Sequence, residues 1–269
     1  MIRVGAVNYL NTKPLIEDLD VVAPQLDVIL ELPSRLADDL AAGKLDVAII
    51  PVIEYWRSGE YTIIPGISIA SRGPVLSVTI FSRRPWPEIR RLALDVGSRS
   101  SAALTRILMA KKYGVCPDFS PLPLEARPED LDVDAVLLIG DRAMRACLPG
   151  FDYAYDLGQE WTEWTGLPFV YAVWAVRPGI ELGDALDAFY EAKRRGLKRV
   201  GTIAQREAGI LGLDAGFCRR YLSHIIHFDL GPQEQAAMKR YYELACELGL
   251  VQRGVGIEFY HQEVVAKSR

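Results

Sequence analysis

Val47-Ala48-Ile49-Ile50 is the stretch that most restricts how this chain can fold. It has no polar face, so a strand formed there must be covered on both sides, as in a parallel sheet between layers of helix. Pro51 ends it, because proline cannot donate to a ladder, and residues 53–56 predict a helix directly behind. The same order appears upstream. Residues 4–7 read as a short apolar strand, followed by the polar loop Asn8-Tyr9-Leu10-Asn11-Thr12-Lys13 and a helix beginning near Pro14, a residue favoured in the first helical turn. Residues 28–32 read as a second strand, and Pro33-Ser34 opens a helix that stops at Gly43. Strands alternating with helices predict an α/β first part with a parallel sheet.

The rhythm continues and then breaks. Residues 63–69 are a further strand candidate, and 73–82 form a long strand-like stretch with polar Ser77 inside it. Ser77 either faces solvent or, if buried, needs a partner, for which a ligand is one candidate. Arg83-Arg84-Pro85-Trp86-Pro87 reads as a linker. Beyond it lie a strand at 92–96, a helix from Ser101, extended residues 119–124, a short helix at 127–131, an apolar strand at 135–139 and a short helix at 142–147. Trp161, Trp164, Phe169 and Tyr171 leave two readings open: a loop with an aromatic wall, or a helix packing its i and i+3 tryptophans on the core. Residues 169–176 read as a strand crossing back to the first part. Two extended crossings around a mid-chain segment predict two lobes, 1–82 with 177–269 and 83–176, joined by two hinge strands around a ligand cleft. The length of 269 residues suits two lobes. The remainder reads as helices, interrupted by an extended 225–230 that returns to the first lobe's sheet.

Two strand–loop–helix starts carry the candidate chemistry. In Asp95-Val96-Gly97-Ser98-Arg99-Ser100-Ser101, a turn with backbone N–H groups and hydroxyls sits at a helix start, where the dipole favours a carboxylate or phosphate. Ser100 is open to two readings, helix cap or anion contact. Asn11 and Thr12 have the same two readings, at the carboxyl end of the first strand, where open α/β sheets bind ligands. Gly140-Asp141 ends the 135–139 strand, and Asp141 is either a ligand contact or the cap of the next helix.

Composition excludes several classes. A net charge of −4 argues against nucleic acid as a bulk electrostatic partner. The four cysteines lack any CxxC pair, and the three histidines form no ligand cluster, so no metal site is expected. With no Walker loop and no GxGxxG after a strand, no cofactor is expected. No apolar run approaches the ~20 residues that span a bilayer, and the start shows no basic region followed by an apolar core. The expectation is a cytoplasmic protein that acts on a small molecule, without membrane partners.

Five segments, taken in order, resemble the chorismate dehydratase family of the futalosine route to menaquinone. They are Val4-Gly5-Ala6-Val7-Asn8-Tyr9-Leu10-Asn11-Thr12-Lys13-Pro14-Leu15, Gly43-Lys44-Leu45-Asp46-Val47-Ala48-Ile49-Ile50-Pro51-Val52, Gly97-Ser98-Arg99-Ser100-Ser101, Ile139-Gly140-Asp141 and Trp164-Thr165-Gly166-Leu167-Pro168-Phe169-Val170. The resemblance implies an α/β, two-lobed type II periplasmic-binding-protein-like fold with a ligand cleft between lobes. It also implies a hydro-lyase that dehydrates chorismate to 3-[(1-carboxyvinyl)oxy]benzoate. Asn11, matching the Leu-Asn of the family's first motif, is then the catalytic contact, with Thr12 beside it. Ser100 and Ser101 bind one carboxylate, while Ser77, Gly140 and Asp141 face the ring substituents or the second carboxylate. No His, Lys or Glu stands out as general base; Asp141 is one candidate, although a carboxylate there would repel a dianion, and a substrate carboxylate acting as its own base is the better reading. Two alternatives stand beside this. One is the sister 1,4-dihydroxy-6-naphthoate synthase, which needs a cleft histidine, whereas all three histidines here lie near the C-terminus. The other is a non-catalytic aromatic-acid binding protein.

Overall fold

Among residues 1–261, which the computed structural model describes, the strands fall into two separate sheets. The first contains β1 (Ile2–Val7), β2 (Leu26–Glu31), β3 (Val47–Pro51), β4 (Thr62–Ser71), β10 (Phe169–Val176) and β11 (Ile226–His227). The second contains β5 (Val78–Ser82), β6 (Arg91–Asp95), β7 (Asp118–Leu122), β8 (Ala135–Ile139) and β9 (Tyr153–Asp156). Their orders are β11-β4-β10-β3-β1-β2 and β7-β6-β8-β5-β9. Of the segment 177–269 assigned to the first lobe, 262–269 lie outside the described residues. Among those described, no helix is long and apolar enough to cross a membrane.

β3 is buried along its whole length, as its apolar run requires, and pairs parallel with β1 on one side. Its other neighbour corrects the expectation of a parallel sheet. β10 runs antiparallel to both β3 and β4, so the first sheet is mixed. The reason lies in the path of the chain. β1 and β3 run toward the second sheet, and β10 returns from it, so β10 must run down against them.

A second correction concerns residues 73–82, which do not form one strand. The chain turns at Leu76, a non-glycine residue with φ of 62°. Only Val78–Ser82 is a strand, and it pairs with β8 and β9 in the second sheet. The first crossing between sheets therefore falls at 72–77, and Arg83-Arg84-Pro85-Trp86-Pro87 is a connection within the second sheet. Asp156 holds the crossing in place. Its carboxylate accepts the N–H groups of Val75 (2.9 Å) and Leu76 (2.6 Å), and those of Gly158 (2.9 Å) and Gln159 (3.0 Å) in the helix it caps. β9 is a four-residue edge strand, too short to show a strand pattern in the sequence.

Of the two readings for the tryptophan segment, the structure adopts the helix, Leu157–Thr165. Trp161 is fully buried, its ring 5.3 Å from Phe169, and its indole N–H donates to the Pro168 carbonyl at 2.8 Å. On the first sheet's side the helix Ala185–Lys198 approaches the first loop very closely. A Cβ on Gly196 would stand 2.0 Å from the Pro14 carbonyl oxygen, so only glycine allows this packing.

Candidate active site between the two sheets

Loops at the facing ends of the sheets frame a pocket, partly open to solvent, with about 540 Å³ of empty space. The first loop follows β1. It makes a single 3₁₀ turn, Leu10–Thr12, because Pro14 sets up the helix behind it. Tyr9, Asn11 and Thr12 all line the cavity. The Thr12 hydroxyl donates to Asn11 Oδ1 at 3.3 Å, so the Asn11 amide meets Tyr221 and the cavity through its N–H groups.

The opposite loops come from the second sheet. The helix Arg99–Ile107 begins at Ser98, whose hydroxyl makes no capping bond. Ala102 is the first residue to bond back, its N–H donating to the Ser98 carbonyl at 3.2 Å. The N–H groups of Arg99, Ser100 and Ser101 therefore lack carbonyl partners within their own helix. Ser98, Ser100 and Ser101 line the cavity. Ser100 does not cap its own helix. Its Oγ accepts the Ile53 N–H at 3.3 Å and so caps the helix Val52–Ser58, which follows β3 of the other sheet.

Asp141 behaves in a related way, which changes its expected place. It is absent from the cavity lining, and it does not cap the helix Gly140–Met144 in which it sits. Its carboxylate accepts the Leu10 N–H at 3.2 Å, from beneath the first loop. Burial pushes its pKa up, and the Leu10 N–H draws it partly back. Thus Ser100 and Asp141 each satisfy a helix start across the gap between sheets. Six of the seven candidate residues (Asn11, Thr12, Ser77, Ser100, Ser101 and Gly140) surround one cavity, with Asp141 behind it.

Gly140 adopts φ of 58°, and its N–H donates to the Ser77 carbonyl at 2.7 Å. A Cβ there would lie 2.9 Å from the Tyr9 ring, so the ring rests on the bare glycine. Gly140→Ala is expected to displace Tyr9 and strain the backbone by roughly 1 kcal/mol or more. Its signature would be a rise in KM together with a lower melting temperature. A variant with unchanged binding and melting would contradict this packing.

Ser77 is buried, and its Oγ accepts the Tyr221 hydroxyl at 2.8 Å. Tyr221 also reaches the Asn11 side chain. Complete burial pushes its pKa well up, so its hydroxyl stays protonated and donates. With one lone pair of Ser77 occupied, the serine proton is available to the cavity. Tyr221 lies in a widened helical turn, Tyr221–Ile225, and nothing in the local sequence marks it. Tyr9 and Ser98, which also line the cavity, lie within the two polar loops but carry no mark of their own there, while Tyr171, a further lining residue, belongs to the aromatic segment.

The walls are apolar, with Val7, Pro51, Ile69, Val78 and Ile139 among them. Among the described residues, none that lines the cavity is Asp, Glu, His, Lys or Arg. Its polar groups are hydroxyls, one amide and the helix-start N–H groups. Burial raises the pKa of both Tyr9 and Tyr171, with Asp95 and Asp141 adding to the rise at Tyr9 and Asp156 at Tyr171. These hydroxyls remain donors. The cavity is a set of neutral donors on opposite walls, suited to a small anion with an apolar ring.

Two α/β sheets joined by crossing segments, with a donor-lined cavity at their junction, define a fold of the periplasmic-binding-protein class. Solved structures agree. The periplasmic aliphatic sulphonate binding protein of Escherichia coli superposes with a TM-score of 0.71 at 15% identity, covering 100% of this chain and 94% of its own. A protein from Archaeoglobus fulgidus gives 0.65 at 19% identity, over 93% and 98%. Residues 2–247 match the model of the menaquinone biosynthesis family. A chorismate dehydratase of Thermus thermophilus is 31% identical over 261 residues, 89% of this chain and 93% of that one. A chorismate dehydratase of Campylobacter jejuni is 29% identical over 220 residues, 81% and 83% of the two chains. The chain belongs to the menaquinone biosynthesis family.

Proposed function

We propose that this protein is a chorismate dehydratase, a hydro-lyase that converts chorismate to 3-[(1-carboxyvinyl)oxy]benzoate and water. One observation carries the reading beyond family membership: the candidate residues from both sheets converge on a single cavity that has donors but no charged side chain among its described lining. The two sheets serve as two lobes, with 72–77 and 166–168 as the crossings.

In this reading one carboxylate of the substrate sits at the start of the helix Arg99–Ile107, on its open N–H groups and the hydroxyls of Ser100 and Ser101. Ser77 and the backbone at Gly140 face the ring substituents or the second carboxylate. Asn11 donates to the departing hydroxyl, and Thr12 holds the Asn11 amide in the orientation that allows it. The ring proton passes to a carboxylate of the substrate, the neighbouring carbon–oxygen bond breaks, and the hydroxide takes up that proton as water. Aromatisation of the ring supplies the driving force. The protein then contributes orientation and hydrogen bonds placed where charge develops.

The decisive experiment is incubation of purified protein with chorismate, without added cofactor, followed by chromatography with mass detection. Loss of one water to an enolpyruvyl-oxy benzoate is the expected result. Chorismate bound but unchanged would leave a binding protein, and neither binding nor turnover would overturn the reading.

Tyr221→Phe tests the support behind Ser77. Loss of the hydroxyl frees Ser77 to rotate, so kcat should fall about tenfold with KM little changed. Stability should fall by only ~1 kcal/mol, the worth of one buried hydrogen bond. An equal change in KM and none in kcat would assign Tyr221 to packing alone.

A further inference from the structure

On the other side of the Asp95–Arg99 turn lies a second, open concavity with about 780 Å³ of empty space, part of it open solvent, and Ser98 lines both it and the candidate active site. Three arginines line it: Arg57 from the helix Val52–Ser58, and Arg99 and Arg106 from the helix that starts at the active site. They differ in what holds them. Arg99 is committed to Asp38 at 2.7 Å and Glu54 at 3.0 Å, and Arg57 to Glu54 at 2.6 Å. Arg106 forms no ion pair among the described residues. Its guanidinium lies 4.1 Å from the centre of the Phe119 ring, which supports one face and leaves the N–H edge free. Burial draws its pKa down, and the nearby charge of Arg57 adds to the fall. Asp95 also borders the groove, but its carboxylate is buried, accepts the Gly97 N–H at 2.8 Å, and lies 3.7 Å from Arg142. It presents little negative charge outward.

We propose that this groove is a second anion site, in which Arg106, with Arg57 beside it, takes up a carboxylate of the substrate before it enters the cavity. The identity of the anion rests on the function proposed above. The need for such a site follows from charge. A dianion approaches a protein of net charge −4, and the cavity itself offers only neutral donors among its described lining. A local cationic surface raises encounter where the overall field opposes it.

The test compares Arg106→Gln, Arg106→Lys and the unaltered protein across ionic strength. At low salt the Gln variant should lose about tenfold in kcat/KM with kcat unchanged, and its salt dependence should flatten. The Lys variant should retain most of the effect, since it keeps the charge. Equal kcat/KM for the Gln variant at low salt, or a loss confined to kcat, would overturn the proposal. A second measurement needs no turnover: titration of the protein with sodium benzoate by calorimetry. Beside any binding in the cavity, the unaltered protein should show a separate salt-sensitive binding event that Arg106→Gln removes. Its persistence in the variant, or its absence from the unaltered protein, would overturn the site. Its loss in the variant, in a protein that does not turn over chorismate, would leave the groove standing and sink the function.

Discussion

Asn11→Ala is expected to lower kcat by roughly 10²–10³-fold, the usual cost of removing one preorganised donor from a developing oxyanion. The side chain stands at the cavity wall with its oxygen engaged by Thr12 and Tyr221 beside its amide, so an N–H is what the substrate meets. The residue is only partly buried and caps nothing, so the melting temperature should change little. Asn11→Asp is the sharper control. It preserves shape but replaces donors with a negative charge facing a dianion, and both binding and turnover should suffer. Measured kcat within about threefold of the unaltered enzyme for the alanine variant would remove Asn11 from the mechanism.

The largest loss of stability should come from Asp156→Ala, at about 3 kcal/mol. One carboxylate there satisfies four backbone N–H groups in two segments, and alanine leaves all of them without that partner. For a chain of this size that corresponds to a fall in melting temperature of roughly 6–12 °C. Activity should fall in the folded fraction as well. Asp156 fixes Val75 and Leu76, and Leu76 keeps its left-handed conformation only while held, which is what aims Ser77 at the cavity. Asp156→Asn should lie between the two, since an amide retains one acceptor oxygen and turns a donor against the remaining N–H groups. Thermal melts of the three proteins, with kcat measured well below each transition, check both parts. A melting temperature unchanged in the alanine variant would refute the clamp.

Much of the fold could be read from local pattern. The apolar run of β3, the stop at Pro51, the strand-to-helix starts at Asn8–Thr12 and at Ser98–Ser101, and the return of 169–176 are all consequences of periodicity and turn chemistry. The failures share a cause. Residues 73–82 look like a single strand because their hydrophobicity is continuous, and the break at Leu76 is imposed by a carboxylate some 80 positions away. The direction of β10 likewise depends on where the chain has been, not on which residues compose it.

The sequence by itself determined most of the elements, their alternation and the identity of the polar loops, because helix starts, strand runs and glycine turns are set by near neighbours. Only the tertiary structure decided what those polar groups do. Ser100 caps the helix at Ile53, Asp141 supports Leu10, and Tyr221 orients Ser77, through bonds that join residues 47, 131 and 144 positions apart. A capping residue is recognisable from its type, but the donor it satisfies is chosen by whichever unpaired N–H the packed sheets bring within about 3 Å.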